Sequence, residues 1–406
     1  MRVRILTAVL TSCAATTAFA ADLGENTTVG GRVFFDVSHI SLQNENAAGA
    51  GVDTPPMGTG FDVKRFYLSV DHKFDDTWSA DLTTDAQFTT SSTATITTPT
   101  GTTTVLTNGN TSGAVSEVFI KKLYLEGKFN KLFVVHIGSY DMPWDPFAES
   151  LYGYRYVEKT ITDRLGYSNT TDWGLHASGT GGSNGLFSYA ASVVNGGGFK
   201  NPTRTKDVDF EGRLSVKPVA WLNVGAGFYS GHLGQITATN QDFPSNTARR
   251  FDVAAGVLVS GFRAGVEYFN AKDYKTVNSL AASLLSTSSV VNTATVAPIS
   301  DKAEGFSSYA SYSFANNQWS VFARYDDAKL SKDVASNLKD TYLNAGVAYK
   351  PIKPLDFALV YKNEKVDNGS ISVSGADANG SYIIGGANGT HDGKFDEIGL
   401  YVQWQF

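Results

Sequence analysis

The chain has 406 residues, a formal net charge of −6, 40 glycines, 25 phenylalanines and 19 tyrosines, and a mean hydropathy of −0.15. The acidic balance argues against a nucleic-acid partner. No segment approaches the roughly 18 consecutive apolar residues of a membrane-spanning helix. A chain of this composition can still cross a membrane if alternate residues of its β-strands face lipid and a water-filled lumen.

Residues 1–20 have the pattern of a secretory signal peptide. A basic start is followed by the apolar residues 5–10 and by the small-residue cleavage site Ala18-Phe19-Ala20. A lipoprotein-type cleavage sequence at residues 10–13 is a less favoured alternative, because it leaves a very short apolar region. Cleavage after Ala20 removes Cys13, so the exported chain has no disulfide, and the loss of two arginines changes the net charge from −6 to about −8.

Sixteen later segments alternate apolar and polar residues with a period of two, which is typical of strands with one apolar face. In one of them, Trp78, Leu82 and Phe88 alternate with Asp81 and Asp85. Most are long enough to cross a bilayer at a tilt, which takes roughly 9 to 11 residues. The predicted strands are 29–42, 61–74, 77–89, 117–129, 132–139, 171–179, 185–195, 206–217, 220–231, 248–260, 262–272, 303–314, 318–329, 339–350, 355–366 and 394–406.

The connections between these strands alternate between short turns and long loops rich in Gly, Ser, Thr and Asn. Short periplasmic turns and long external loops are typical of outer-membrane barrels. Aromatic residues gather at the short-turn end, as in an interfacial girdle. They are Phe74, Trp78, Phe129, Phe133, Phe262, Phe314, Trp319, Phe357 and Trp404. We therefore predict an all-β, transmembrane antiparallel barrel of about 16 strands as one domain, residues 21–406.

The last strand ends on Phe406. A strand that ends on an aromatic residue resembles the closing strand of bacterial outer-membrane barrels. In those proteins the barrel assembly machinery reads the carboxy-terminal aromatic residue. The resemblance implies that Phe406 is an assembly signal, that the machinery and outer-membrane lipid are partners, and that the protein lies in the bacterial outer membrane.

The third long loop, residues 140–170, is far more aromatic and apolar than the other loops. A loop with so much Trp, Phe, Tyr and Leu should not extend into water. We predict that it folds into the barrel and narrows the lumen. The alternative is a lid over the rim or a contact with a neighbouring subunit.

Catalytic motifs are largely absent from the sequence. The six histidines are scattered, without an HxxxH pair or a nearby serine motif, and no phosphate-binding glycine pattern occurs. Residues 207–212 faintly resemble a calcium loop, but their charges alternate with apolar residues as on a lumen face. We predict neither enzymatic activity nor a metal or cofactor. A barrel enzyme and a non-conducting structural or adhesive barrel are the competing functional classes.

Ordered motifs in the first half of the chain resemble those of the phosphate-selective porin O/P family. These motifs are Arg65-Phe66-Tyr67-Leu68, Leu123-Tyr124-Leu125-Glu126, His136-Ile137-Gly138, Pro143-Trp144, Glu149, Arg155-Tyr156, Glu158, Asp172-x-Gly174-Leu175 and Val194-Asn195-Gly196. The resemblance implies a sixteen-stranded homotrimeric channel in the outer membrane of Gram-negative bacteria. It also implies anion selectivity from lumen arginines and a lysine-rich constriction.

Strand alternation and the third loop supply basic residues for such a channel. The candidate constriction residues are Arg32, Arg65, Arg155, Lys159 and Arg164, and the further lumen-lining residues are Arg213, Arg250, Arg263 and Arg324. Acidic residues share these faces, namely Asp36, Glu211, Asp252, Glu267 and Asp326. The spacing of Arg155, Lys159 and Arg164 would place them on one side of a helical turn.

The sequence thus predicts passive diffusion of small hydrophilic solutes through a water-filled channel. If the basic side of the third loop faces Arg32 and Arg65, small anions such as phosphate are favoured. If the acidic residues line the gap instead, the channel is a general or weakly cation-preferring porin, because the field at the narrowest point decides the preference.

Overall fold

The computed structural model describes residues 24–46, 48–54, 57–89, 92–97, 103–108, 115–236, 246–274, 300–374, 381–386 and 391–406. The predicted signal peptide lies outside these residues. Within them, sixteen long strands form one closed antiparallel barrel. The first long strand, Thr27–Glu45, pairs with both Gly58–Lys73 and the last strand, Gly393–Gln405, and so closes the barrel. The predicted all-β fold is confirmed.

The strands of the described residues are β1 (Thr27–Glu45), β2 (Gly51–Asp53), β3 (Gly58–Lys73), β4 (Trp78–Thr89), β5 (Ser92–Thr97), β6 (Thr103–Asn108), β7 (Val115–Asn130), β8 (Phe133–Asp141), β9 (Thr171–Gly181), β10 (Phe187–Val194), β11 (Asp209–Val219), β12 (Leu222–Gly231), β13 (Ala248–Val259), β14 (Phe262–Lys272), β15 (Lys302–Phe314), β16 (Trp319–Lys329), β17 (Lys339–Ile352), β18 (Leu355–Asp367), β19 (Ser370–Ser374), β20 (Ser381–Gly385) and β21 (Gly393–Gln405). β2 pairs with the last residues of β1, and the hairpins β5–β6 and β19–β20 lie within long loops. The other sixteen strands form the wall.

Two short helices, α1 (Asp145–Tyr152) and α2 (Ile161–Arg164), lie between β8 and β9, and a 3₁₀ turn (Ser183–Gly185) precedes β10. Among the described residues, no helix has the length and apolar character that crossing a membrane would require.

The alternation seen in the sequence separates an apolar outer surface from a polar interior. In β21, Ile398, Leu400 and Trp404 are exposed on the outside, whereas Glu397 and Tyr401 are buried inside the barrel. The aromatic residues near the short turns are likewise on the outer surface, with Phe74, Phe129, Phe314 and Trp319 among the exposed ones. Because the outer surface is apolar and the inner one polar, the wall suits a lipid environment around a wet lumen.

Candidate functional site: the constricted lumen

The third loop lies inside the barrel, as predicted. Trp144, Val157 and Ile161 have no exposed surface, and α1 contacts β13 and β14 of the wall. Pro146 stands in the first turn of α1, where its missing N–H costs no helical hydrogen bond. Gly153 ends the helix in the left-handed conformation, with φ of 84°.

Wall glycines make room for the apolar side of α1. A Cβ atom at Gly225 would come within 2.5 Å of the Phe147 ring, and one at Gly227 within 2.6 Å of the Trp144 ring. A Cβ atom at Gly256 would come within 2.9 Å of Leu151. Any side chain at these three positions would collide with the loop, so their lack of one allows α1 to lie close against β12 and β13.

Four wall arginines donate hydrogen bonds to backbone carbonyls of the third loop. Arg213 binds the carbonyl of Pro143 at 3.0 Å, and Arg263 binds those of Ser150 and Leu151 at 2.7 and 2.9 Å. Arg263 thereby satisfies carbonyls at the end of α1 that have no helical partner.

The other two wall arginines are Arg250, which binds the carbonyl of Tyr167, and Arg324, which binds that of Lys159. Arg250 also forms ion pairs with Glu211 and Asp252, and Arg324 with Asp326. All four predicted lumen-lining arginines thus face inward and hold the loop, and two of them are paired with acidic residues.

Arg164 is an arginine of the third loop that is bound by carboxylates of the wall. Its guanidinium lies 2.6 Å from Asp340, 2.6 Å from Glu364 and 3.2 Å from Asp326, and it is almost completely buried. Lys159 is also buried and pairs with Asp163 at 3.6 Å. Arg164 therefore lies between the loop and the wall, and Lys159 is buried against a carboxylate of its own loop.

The helical turn that would align Arg155, Lys159 and Arg164 does not form. In this fully described segment only Arg164 is helical, and Arg155 and Lys159 precede α2. The carboxylates that surround Arg164 turn it toward the wall, and Arg155 is left on the other side of the loop.

Two ionisable groups of the third loop are strongly affected by their surroundings. Burial raises the pKa of the Glu158 carboxyl, but the Lys362 ammonium, 3.1 Å away, and the Lys159 backbone N–H outweigh burial and bring the pKa to about 2. Glu158 therefore remains charged and holds the loop to β18. Burial and the nearby Asp163 carboxylate raise the pKa of Asp145 well above its usual range. The Asp145 carboxyl is thus biased toward its neutral form.

A gap of about 490 Å³ separates Pro146, Glu149 and Arg155 of the third loop from β1, β3, β4 and β7 of the wall. A cavity of about 670 Å³ next to the short turns is lined by Arg32, Glu149 and Arg155 as well. A third cavity, of about 590 Å³, adjoins the gap at Asp141 and Pro146. The structure thus brings the two candidates Arg32 and Arg155 together at the same cavities.

Two β-bulges place pairs of adjacent basic residues on the lumen side. The register shift between β1 and β3 turns both Lys64 and Arg65 inward, and the shift between β4 and β7 does the same for Lys121 and Lys122. Strict alternation sends one member of each pair into lipid, which is why Lys64 was missed beside Arg65. Lys121 and Lys122 were not among the predicted candidates. The signal was present: apolar residues stand three apart around each pair, where an unbroken strand has them two apart.

The basic residues around the gap differ in how far their charge is neutralised. Lys122 pairs with Asp141 at 2.5 Å, and Arg155 pairs with Glu149 at 2.6 Å. Lys121 donates to the Tyr67 hydroxyl at 3.3 Å. Among the described residues, neither Lys121 nor Arg32 forms an ion pair. Arg65, in contrast, is paired with Asp85 at 3.1 Å.

The lining of the three cavities is basic although the whole chain is acidic. Nine basic residues of the described chain line them: Arg32, Lys121, Lys122, Lys131, Arg155, Arg213, Lys217, Arg263 and Lys350. Four acidic residues do so: Asp141, Asp145, Glu149 and Asp356. The described residues contain no group of three side chains that could hold a metal ion. The side chains that line the three cavities thus carry more positive than negative charge.

Solved structures with the same fold are outer-membrane proteins. An anion-selective porin from Comamonas acidovorans matches with 13% identity and a TM-score of 0.57, over 94% of this chain and 99% of that one. The outer membrane channel DcaP of Acinetobacter baumannii matches with 12% identity and a TM-score of 0.56, over 94% and 97%. The outer membrane protein OmpT of Vibrio cholerae, in its trimer form, matches with 13% identity and a TM-score of 0.55, over 94% and 99%.

At these identities the likeness concerns the fold, which is that of outer-membrane porin barrels. No family model matches the chain, and no curated protein sequence matches it. The resemblance to the phosphate-selective porin O/P family stays a prediction.

Proposed function

We propose that this protein is an outer-membrane porin that lets small hydrophilic solutes, preferentially anions, diffuse passively through its lumen. Export by the residue 1–20 signal peptide, insertion by the barrel assembly machinery through Phe406 and assembly as a homotrimer belong to the same proposal. It is a channel and not an enzyme.

The observation that carries the proposal is the charge of the path. Nine basic and four acidic residues line the three cavities, in a chain whose net charge is −6. Charges more than about 10 Å apart are largely screened at 0.1 M salt, so an ion responds to this lining and not to the acidic total. Arg32 and Lys121, which lack carboxylate partners in the described chain, contribute most to the field in the gap.

Phosphate is the anion that the family resemblance implies, and guanidinium and ammonium groups are its usual protein ligands. A general porin with a weak cation preference is the alternative. Asp141, Asp145 and Glu149 on the same gap favour that alternative, although Asp141 and Glu149 are paired with basic residues and the pKa of Asp145 is raised.

Conductance through planar bilayers tests the channel itself. Single-channel steps from the purified protein are expected. Ser69 lines the gap, whereas Thr84 pairs with the outward Leu68 and faces away from it. A Ser69→Cys variant should therefore lose conductance when a negatively charged thiol reagent is added, and the matched Thr84→Cys variant should not. A protein without conductance steps, or steps that modification of Ser69→Cys leaves unchanged, would contradict the proposed path.

A further inference from the structure

We infer that the outer surface of the barrel has a binding site for a phosphorylated lipid headgroup, formed by Arg249, Lys272 and Lys302. This inference rests on the proposed membrane location. The three residues lie at the ends of β13, β14 and β15 next to the long loops, and all three side chains are exposed on the outward face.

The strand register makes these three residues direct neighbours. Arg249 stands opposite Lys272, and Lys272 stands opposite Lys302. Side chains directly opposite one another have Cβ atoms about 4.5–5.5 Å apart, and like charges at such positions repel. The row is therefore unfavourable as it stands, and a bound anion would relieve the repulsion.

Carboxylates compensate other lysine pairs on the same rim. Lys365 stands opposite Lys394, but Lys365 pairs with Asp367 at 2.5 Å and Lys394 with Asp396 at 2.7 Å. Within the described residues, Arg249 and Lys272 have no such partner, and Lys302 has only Asp333 at 3.3 Å, with both side chains about half exposed. Glu304, the nearest carboxylate on the same face, is paired with Lys332 at 2.7 Å, so within the described residues the charges of Arg249 and Lys272 stay without a carboxylate partner.

The position of the row determines what kind of anion it would meet. Phe251, Tyr268 and Phe306 lie two to four residues further down the same strands and are exposed on the outer surface. Exposed aromatic residues at the end of the apolar band mark the membrane interface. The three basic residues therefore lie at headgroup height, where basic clusters attract anionic lipids. A phosphorylated headgroup, with its acyl chains along the aromatic residues, fits this surface.

Lipid binding to the purified, detergent-solubilised protein tests the inference. Bound dioleoylphosphatidic acid and dioleoylphosphatidylcholine are counted by native mass spectrometry for the wild type, for Arg249→Gln/Lys272→Gln, and for Lys365→Gln/Lys394→Gln, a control with the same charge change on the same rim. We expect the wild type to prefer phosphatidic acid, the first variant to bind it about tenfold more weakly, and the control to bind it like the wild type.

Three results would overturn the site. The first is that the Arg249→Gln/Lys272→Gln variant binds phosphatidic acid as well as the wild type does. The second is that the Lys365→Gln/Lys394→Gln control loses as much binding as that variant. The third is that equimolar inorganic phosphate displaces the lipid, which would indicate a site for the free ion. Conductance of the same samples separates this inference from the channel. A non-conducting protein that binds phosphatidic acid overturns the channel alone, and a conducting protein indifferent to that lipid overturns the lipid site alone.

Discussion

Gly227 of the wall lies directly beneath Trp144 of the third loop, and a Cβ atom at position 227 would come within 2.6 Å of the indole ring. A Gly227→Ala substitution should therefore push α1 away from the wall. Overpacking of this kind costs about 1–3 kcal/mol. We expect a lower unfolding temperature and a changed single-channel conductance. Gly60→Ala is the matched control, because nothing lies within 4 Å of its added Cβ atom. Equal behaviour of the two variants would contradict close packing of the loop.

Arg164 holds the loop through three buried carboxylates, so its removal should be costly. In an Arg164→Met variant, Asp326, Asp340 and Glu364 lose their shared partner, and breaking a buried ion pair costs about 3–5 kcal/mol. Thermal unfolding in detergent should show a large loss of stability, accompanied by faster proteolysis of the third loop. Adding Asp340→Asn should recover part of it. The exposed Arg204→Met variant should be as stable as the wild type, and a stable Arg164→Met protein would refute the proposed role.

The two bulge lysines of β7 should differ in their effect on ion preference. Lys121 has no carboxylate partner in the described chain, whereas Lys122 is paired with Asp141. Lys121→Gln should therefore lower the chloride-to-potassium permeability ratio, by about two- to fivefold if the lost interaction is about 1 kcal/mol or less, as for charges near 4 Å in water. Lys122→Gln leaves the Asp141 carboxylate without its partner, so the change in permeability ratio reports on the Lys122–Asp141 pair as a whole. A Lys121→Gln channel with unaltered selectivity would show that this side chain lies off the ion path.

Glu149 is the nearer carboxylate partner of Arg155 at the gap, with 2.6 Å between Oε1 and Nε, and Asp163 lies 3.7 Å from the same guanidinium. Glu149→Gln should remove the nearer negative charge, retain the size of the side chain and make the channel more anion-selective. Arg155→Gln should act in the opposite direction. The permeability ratio of the two variants, measured in the same bilayers, should lie on opposite sides of the wild type. Shifts in the same direction would mean that the pair acts through loop position and not through charge.

The sequence predicted the features that repeat along the chain. Period-two alternation located the sixteen wall strands, and the apolar composition of residues 140–170 predicted that this loop folds inward. Alternation fails where one residue is inserted, which is why Lys64 was missed beside Arg65, whereas Arg32, on an unbroken part of β1, was predicted.

Long-range pairing was the other feature beyond the reach of the sequence. The partners of Arg164 lie 162, 176 and 200 positions further along the chain, at Asp326, Asp340 and Glu364. No local pattern indicates that three wall carboxylates converge on one loop arginine. For the same reason the sequence could not show that wall arginines bind loop carbonyls. The sequence indicated which basic side chains face inward but not which of them lack a carboxylate partner.

The zero-current potential across a planar bilayer under a KCl gradient tests the central claim, anion preference set by Arg32 and Lys121, most directly. For the wild type, the compartment of lower concentration should become negative, because chloride crosses faster than potassium. The Arg32→Gln/Lys121→Gln variant should bring the potential toward zero, and the outward Arg249→Gln/Lys272→Gln variant should leave it unchanged. A wild type that makes the dilute compartment positive, or an anion preference that survives the loss of Arg32 and Lys121, would contradict the account.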